Sequence, residues 1–147
     1  MLNLLHFIVG NNDLGVEIGY IRGIIRMPAE AERAGDGGQA FETIRFRDEK
    51  LKIFDSNIIL GSGKACASAG ARVLVMNFKG ENFGLKVEKV GQVIQAEEGE
   101  LTPADAGRWG TPDIKGALNI GEKRLLLLLD MENFHKTKIA GSMKGKP

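Results

Sequence analysis

The residues best suited to chemistry lie in one short segment, GSGK at residues 61–64, which is followed by Cys66. A glycine-rich segment that ends in lysine can bind phosphate, because backbone amides and the lysine surround the phosphate oxygens. The complete motif needs a further glycine five positions before the second glycine and a hydroxyl residue after the lysine. This sequence has Ile58 and Ala65 at those positions. We therefore interpret the segment as a linker and predict that the protein uses no nucleotide or other cofactor.

The two histidines, His6 and His135, are the other candidates for catalysis or metal binding. Nucleophilic catalysis requires a base beside a serine, cysteine or similar nucleophile, and the spacing pairs neither histidine with such a group. Together with Cys66, the histidines are too far apart along the chain to form a local metal-binding motif. The sequence thus predicts no catalytic residue and no metal ligand, and we expect that the protein is not an enzyme.

The composition favours protein partners over nucleic acid or lipid. The 147 residues include 20 basic and 19 acidic side chains, which give a formal net charge of +1. Such a balance supplies no field that would attract a polyanion. The single cysteine cannot form an internal disulfide, which is typical of a reducing compartment, and the apolar runs are too short to span a bilayer. We predict a cytoplasmic protein that does not insert into membranes.

A repeat determines the organisation of the chain. The segment LGVEIGYIRGII at 14–25 matches FGLKVEKVGQVI at 83–94 without a gap, and matched residues are 69 positions apart. An apolar run and a polar turn precede each copy, as in a hairpin. Isoleucines and valines spaced three and four apart then predict a helical turn that leads into another strand. Each half later offers a second hairpin, at 42–55 and 114–130.

These elements predict a mainly β protein built from two copies of one unit. About five short strands per copy suggest two small five-stranded barrels, since closing a sheet removes its exposed edges. Each second hairpin ends in aspartate, and Asp130 is expected to cap a short helix. The predicted organisation is a single domain at 1–147, with a first lobe mainly at 1–60, a linker at 61–71, a second lobe mainly at 72–130 and a C-terminal helix and tail at 131–147.

Four segments resemble the CheW-type domain, the coupling protein of bacterial chemosensory arrays. They are LGVEIGYIRGII, IRFR ahead of LKIFD, RVLVMNFKGENFGLKVEKVGQVI at 72–94 and DIKGALNIGEKRLLLLLD at 113–130. The resemblance covers residues 4 to 134. It implies two small SH3-like β-barrels and a non-catalytic adaptor in signal transduction. The implied partners are the regulatory domain of a CheA-type histidine kinase and the cytoplasmic tip of methyl-accepting chemoreceptors, with no nucleic acid.

The first lobe diverges from the family pattern. Family members usually read Asn-Leu-Arg-Gly ahead of a strand that begins with proline, whereas this chain has Arg45, Phe46, Arg47 and Asp48, with Lys52 at the proline position. Only the arginine is retained. An aspartate can replace the turn glycine, because it also accepts turn conformations.

The resemblance implies a partner-binding set of five residues: Ile21, Ile24, Arg47, Gly84 and Val87. Ile21 would contact a receptor in an apolar groove, or else hold the local turn as a core residue. Arg47 would bind a receptor carboxylate, or else pair with Asp55 or Glu42. Gly84 favours a backbone role, in a bulge or at a site of close packing.

Two other functions remain open from the sequence. A diverged CheW-like scaffold could serve a pilus, motility or other pathway. A β-barrel that binds nucleic acid would need a basic groove with several exposed aromatics. The chain has seven phenylalanines, one tyrosine and one tryptophan, most of them within apolar strands, which disfavours this second function.

Overall fold

The computed structural model describes residues 1–26, 32–33, 41–56, 71–103 and 113–143. The predicted linker at 61–71 lies almost entirely outside these residues, as do the GSGK segment and Cys66. The strands are β1 Leu2–Val9, β2 Asn12–Glu17, β3 Ile21–Arg26, β4 Glu32–Arg33, β5 Phe41–Phe46, β6 Glu49–Asp55, β7 Arg72–Phe78, β8 Glu81–Val87, β9 Lys89–Ala96, β10 Thr102–Pro103, β11 Ile114–Gly121 and β12 Arg124–Leu129.

The strands form two sheets, with the hydrogen-bonded orders β10-β11-β12-β2-β1-β9 and β3-β7-β8-β6-β5-β4. Each sheet contains five strands of six to eight residues and one strand of two residues. Single 3-10 turns lie at Ile18–Tyr20 and Glu98–Glu100. The predicted fold class is confirmed: the protein is mainly β, with two lobes of five principal strands and short helices.

The chain divides into two units that each contain one sheet. The first unit consists of Met1–Gly19 and Val90–Pro147, and the second unit is the continuous segment Tyr20–Lys89. These units differ from the sequential lobes expected at 1–60 and 72–130, because each sheet takes strands from both repeats. The N-terminal hairpin β1–β2 lies between β12 and β9, and the hairpin β7–β8 lies between β3 and β6.

Two parallel strand pairs produce this exchange. β2 pairs with β12, with Gly15 opposite Leu128, and β8 pairs with β6, with Gly84 opposite Ile53. Parallel neighbours cannot be joined by a tight turn, so they come from distant parts of the chain. Local periodicity identifies the strands but not these partners.

Each unit has its own apolar core. In the first unit, the buried cluster is Leu4, Ala96, Leu118, Leu126 and Leu128. In the second unit, it is Ile44, Leu51, Ile53, Val73 and Val75, with Ile25 and Phe46 packed against it. Both clusters are drawn from several strands of one sheet, so each sheet encloses apolar side chains contributed by both repeats.

A helix follows β12 at the C-terminus. It begins with α1, Met131–Phe134, continues through a π-helical segment, His135–Ile139, and ends with α2, Ala140–Met143. The predicted cap is confirmed, since the Asp130 carboxylate accepts a hydrogen bond from the Asn133 amide at 3.2 Å. None of the helices among the described residues has the length and apolar character needed to cross a membrane.

Candidate functional site

The five residues that the sequence predicts to bind partners all belong to the second unit. Ile21 and Ile24 lie on β3, Arg47 lies in the turn between β5 and β6, and Gly84 and Val87 lie on β8. Among the described strands, β3 lies at the edge of its sheet, where its hydrogen-bonded neighbour is β7. Two of the five residues, Ile21 and Ile24, therefore lie at the edge of one sheet.

A bulge in β3 places Ile21 and Ile24 on the same face of the strand. Residues three apart on a regular strand point to opposite faces. Here the register shifts between Ile21 and Gly23, so that Ile21 lies opposite Met76 and Ile24 lies opposite Leu74. Met76 and Leu74 are two residues apart on β7, and they therefore share a face. The helical spacing read from the sequence is satisfied by a 3-10 turn at Ile18–Tyr20 followed by this bulged strand.

This shared face is apolar, and it is exposed only at β3. Met76 and Leu74 are fully buried, whereas Ile24 keeps 45% of its surface exposed and Ile21 is half-buried. The neighbouring Ile25 points the other way and packs against the core of the second unit. Ile24 thus lies at the exposed edge of a buried apolar surface and is not a core residue.

Arg47 is held in a fixed position by its turn and by Phe46. Arg47 and Asp48 have φ angles of 50° and 66°, as a two-residue type I′ hairpin turn requires. The guanidinium carbon lies 5.0 Å from the centroid of the Phe46 ring, within the range of a cation–π contact. A Cβ placed on Gly23 would lie 3.9 Å from Cζ of the same ring.

The Phe46 ring therefore connects Arg47 to β3. One part of the ring lies under the guanidinium, and its tip reaches Gly23, which lies between Ile21 and Ile24 in sequence. Phe46 packs with Ile25 against the core of the second unit, so its ring meets β3 on the face opposite to Ile21 and Ile24. Phe46 thus links Arg47 to β3 at Gly23, although the sequence shows it only as part of a diverged motif. The signal for it was the aromatic residue beside the retained arginine.

Gly84 and Val87 occupy a different environment. Val87 is fully buried, and Gly84 is buried in the parallel pair of β8 and β6. A Cβ on Gly84 would lie 2.8 Å from Cγ1 of Val73 and 3.0 Å from Cγ1 of Ile53. The buried Val87 side chain and the lack of a side chain at Gly84 both serve the close packing of this sheet.

The first unit carries a charged cluster made of Arg124, Asp13 and His6. The Arg124 guanidinium donates hydrogen bonds to both carboxylate oxygens of Asp13, at 2.7 and 3.3 Å, and His6 Nε2 lies 2.6 Å from Asp13 Oδ1. The hydrogen bond from Arg124 is the main cause of a lowered pKa of Asp13, which burial opposes and His6 reinforces. The same contact raises the pKa of Arg124.

This cluster connects three neighbouring strands. Asp13, His6 and Arg124 come from β2, β1 and β12, which are neighbours in the sheet. His6 also packs on β9, because a Cβ on Gly91 would lie 2.5 Å from its Nδ1. In the described part of the chain, no three His, Cys, Asp or Glu residues are grouped so that they could hold a metal ion.

Comparisons with known proteins agree with this architecture. The family model described as CheW-like domain matches residues 3–138. Among solved structures, the chain is similar to the scaffolding protein TtCheW from Thermoanaerobacter tengcongensis, with a TM-score of 0.77 and 15% sequence identity over 90% of this chain and 86% of that chain. At this identity, the likeness shows the fold alone. No curated protein matches the chain in sequence.

Proposed function

Because the chain belongs to the family of CheW-like domains, we propose that it is a non-catalytic chemosensory adaptor. It couples a CheA-type histidine kinase to the cytoplasmic tips of chemoreceptors, and it acts in the cytoplasm. The family model covers both sheets and the start of the C-terminal helix, so the proposal applies to the whole fold and not to one repeat.

The observation that best supports this function is the arrangement at β3. The bulge gives Ile21 and Ile24 a common face, and Phe46 holds Arg47 beside the same strand. An exposed apolar residue with an oriented arginine nearby is the composition typical of a protein interface, where a few such residues dominate the binding energy. Ile21, Ile24 and Arg47 form the proposed receptor contact, with Gly84 and Val87 supporting it from within.

The experiment measures binding of the purified chain to a receptor cytoplasmic tip and to a CheA-type kinase regulatory domain from the same organism. We expect wild type to bind both partners. Ile24→Glu should retain kinase binding and lose the receptor tip, because a carboxylate would be placed at the centre of an apolar contact.

Leu125→Glu is the matched control, since Leu125 is 42% exposed on β12 of the first unit. This variant should bind both partners as wild type does. Failure of the wild-type chain to bind either partner would reject the adaptor function. Equal loss of receptor binding in both variants would reject the location of the contact on β3.

A further inference from the structure

The hairpin β5–β6 carries two like charges directly opposite each other. Arg45 on β5 pairs in register with Lys50 on β6, and both side chains are exposed. In a hairpin with a two-residue turn, the pair that closes the turn is hydrogen-bonded, and here that pair is Phe46 and Glu49. The next pair is the non-hydrogen-bonded kind, in which facing side chains lie closer together.

This pair of like charges destabilises the folded protein when no partner is bound. Like charges that face each other across antiparallel strands are destabilising. Within the part of the chain that the structure describes, Arg45 and Lys50 form no hydrogen bond or ion pair. Glu49, which precedes Lys50 in sequence, accepts a hydrogen bond at its Oε1 from Asn82 at 3.2 Å.

We propose that the face defined by Arg45 and Lys50 is a contact surface for an acidic segment of a partner protein. A carboxylate between the two cations would remove their repulsion and gain attraction from both. The turn at Arg47 and Asp48 and the parallel pairing of β6 with β8 hold the backbone of the hairpin that presents these two cations. The surface lies on the same hairpin as Arg47, but it goes beyond the proposed receptor contact, since it consists of other side chains and its test requires neither the kinase nor a receptor.

The charge distribution favours a protein segment over nucleic acid or an anionic lipid surface. Residues 20–89 contain 12 basic and 9 acidic side chains, a net charge of +3, and the rest of the chain has 8 and 10, a net charge of −2. Proteins that bind duplex DNA engage about 6–10 phosphates. Arg45 and Lys50 supply only two positive charges, and the acidic residues Asp48 and Glu49 lie beside them, so this surface is not suited to bind duplex DNA. The two cations match a short acidic segment.

The test titrates the full chain into a fluorescein-labelled glutamate peptide at low salt and follows anisotropy. We expect wild type to bind with an affinity that falls steeply as salt is added. The double variant Arg45→Glu with Lys50→Glu should bind at least about tenfold more weakly. The control Lys89→Glu with Lys136→Glu changes the net charge equally at two other exposed lysines and should stay within about twofold of wild type.

Melting temperature separates a binding role from a structural one. Arg45→Glu alone should leave the melting temperature unchanged or raise it, because Glu would then face Lys50. A lower melting temperature in that variant, equal loss in the lysine control, or no peptide binding by wild type would overturn the proposal. Tighter binding to a short DNA duplex or to anionic lipid vesicles through the same two residues would also overturn it. Because neither kinase nor receptor is present, a failure here is distinct from a failure of the adaptor function.

Discussion

Arg124 donates two hydrogen bonds to the carboxylate of Asp13, although the two residues are 111 positions apart. They join β12 to β2, the parallel pair that brings the N-terminal hairpin into the first unit. The second unit has a bridge at the corresponding place. Asn82, 69 positions after Asp13, donates to Glu49 and so joins β8 to β6. Both units thus have a side-chain link between their parallel strands. In the first unit the donor is an arginine, and in the second unit it is an asparagine amide.

The Asp13 contact predicts a specific dependence of stability on pH. Its pKa is lowered in the folded state from an ordinary value of 3.8, so the unfolded chain binds the proton more tightly. The stabilisation is therefore present above pH 3.8 and is lost as the pH falls through the lower, folded pKa. We expect Asp13→Asn to reduce the free energy of unfolding by about 1 kcal/mol at neutral pH. Urea unfolding from neutral pH to about pH 3 would show this difference shrinking below about pH 4.

Glu17→Gln provides the comparison for that series. Glu17 pairs with Lys115 at 3.0 Å on the same sheet, but Glu17 is 31% exposed and Lys115 is 42% exposed. Exposed pairs contribute about 0–1 kcal/mol, so this variant should change stability little at neutral pH. A constant difference between Asp13→Asn and wild type at every pH would contradict the role assigned to the carboxylate charge.

The close packing at Gly84 predicts a large cost for one added methyl group. A Cβ would approach Val73 and Ile53, both β-branched and both fully buried. Such side chains have few rotamers with which to retreat. Gly84→Ala should therefore reduce the free energy of unfolding by about 1–3 kcal/mol, measured by urea denaturation followed by circular dichroism. Gly99→Ala is the control, because nothing lies within 4 Å of its added Cβ, and a similar loss there would contradict the packing argument.

The sequence predicted the strands better than their partners. Matched residues 69 positions apart, such as Gly15 and Gly84, do occupy corresponding places in the two sheets. The spacing could not show that β2 pairs with β12 and β8 with β6, because such contacts between distant strands leave no mark on local periodicity. The sequential lobes expected from the repeat therefore differ from the units of the structure.

The arrangement at β3 was only partly predictable for a similar reason. No local pattern indicated that a bulge after Ile21 would bring it to the face of Ile24. It also did not indicate that Phe46 would connect Arg47 to Gly23. A single extra residue in a strand changes which side chains share a face, and its position depends on the neighbouring strand.

The β5–β6 turn predicts that stability and binding can be changed separately. Asp48→Gly should raise the free energy of unfolding by about 0.5 kcal/mol, because glycine adopts a φ of 66° without the cost of a Cβ.

Arg47→Asn should leave stability near wild type, since asparagine accepts the first position of such a turn. It should also weaken binding of the receptor tip by more than about 2 kcal/mol, a cost typical of a central interface arginine. Thermal unfolding and calorimetric titration measure the two effects.

Lys79→Asn is the matched control for the arginine. Lys79 has a φ of 51° in the β7–β8 turn, and its ammonium lies 5.3 Å from the centroid of the Phe78 ring. The substitution removes a similar cation from a similar turn of the same unit, where the ring beneath it contacts Tyr20. It should not affect receptor binding. Equal weakening in both variants would indicate a general effect of charge and would contradict a specific contact by Arg47.

The buried carboxylate of Asp113 predicts an asymmetry between the two members of an ion pair. Asp113 is fully buried and accepts hydrogen bonds from Lys138 Nζ at 2.8 Å and Thr137 Oγ1 at 2.9 Å. Lys138→Met removes the counter-charge of a carboxylate that cannot reach water, and it should cost about 3 kcal/mol of unfolding free energy. Asp113→Asn should cost less, because the Lys138 side chain is 28% exposed and its ammonium can turn towards solvent.

The double variant Asp113→Asn with Lys138→Met tests this explanation by denaturant unfolding. It should be more stable than Lys138→Met alone, because the buried charge that has lost Lys138 is then absent. Thr137→Val removes one neutral donor and should cost about 1 kcal/mol. If Asp113→Asn reduced the free energy of unfolding more than Lys138→Met did, the loss would come from missing hydrogen bonds and not from a buried carboxylate that lacks Lys138. The Asp113 carboxylate would then serve as an acceptor for the C-terminal helix, with little dependence on its ion pair.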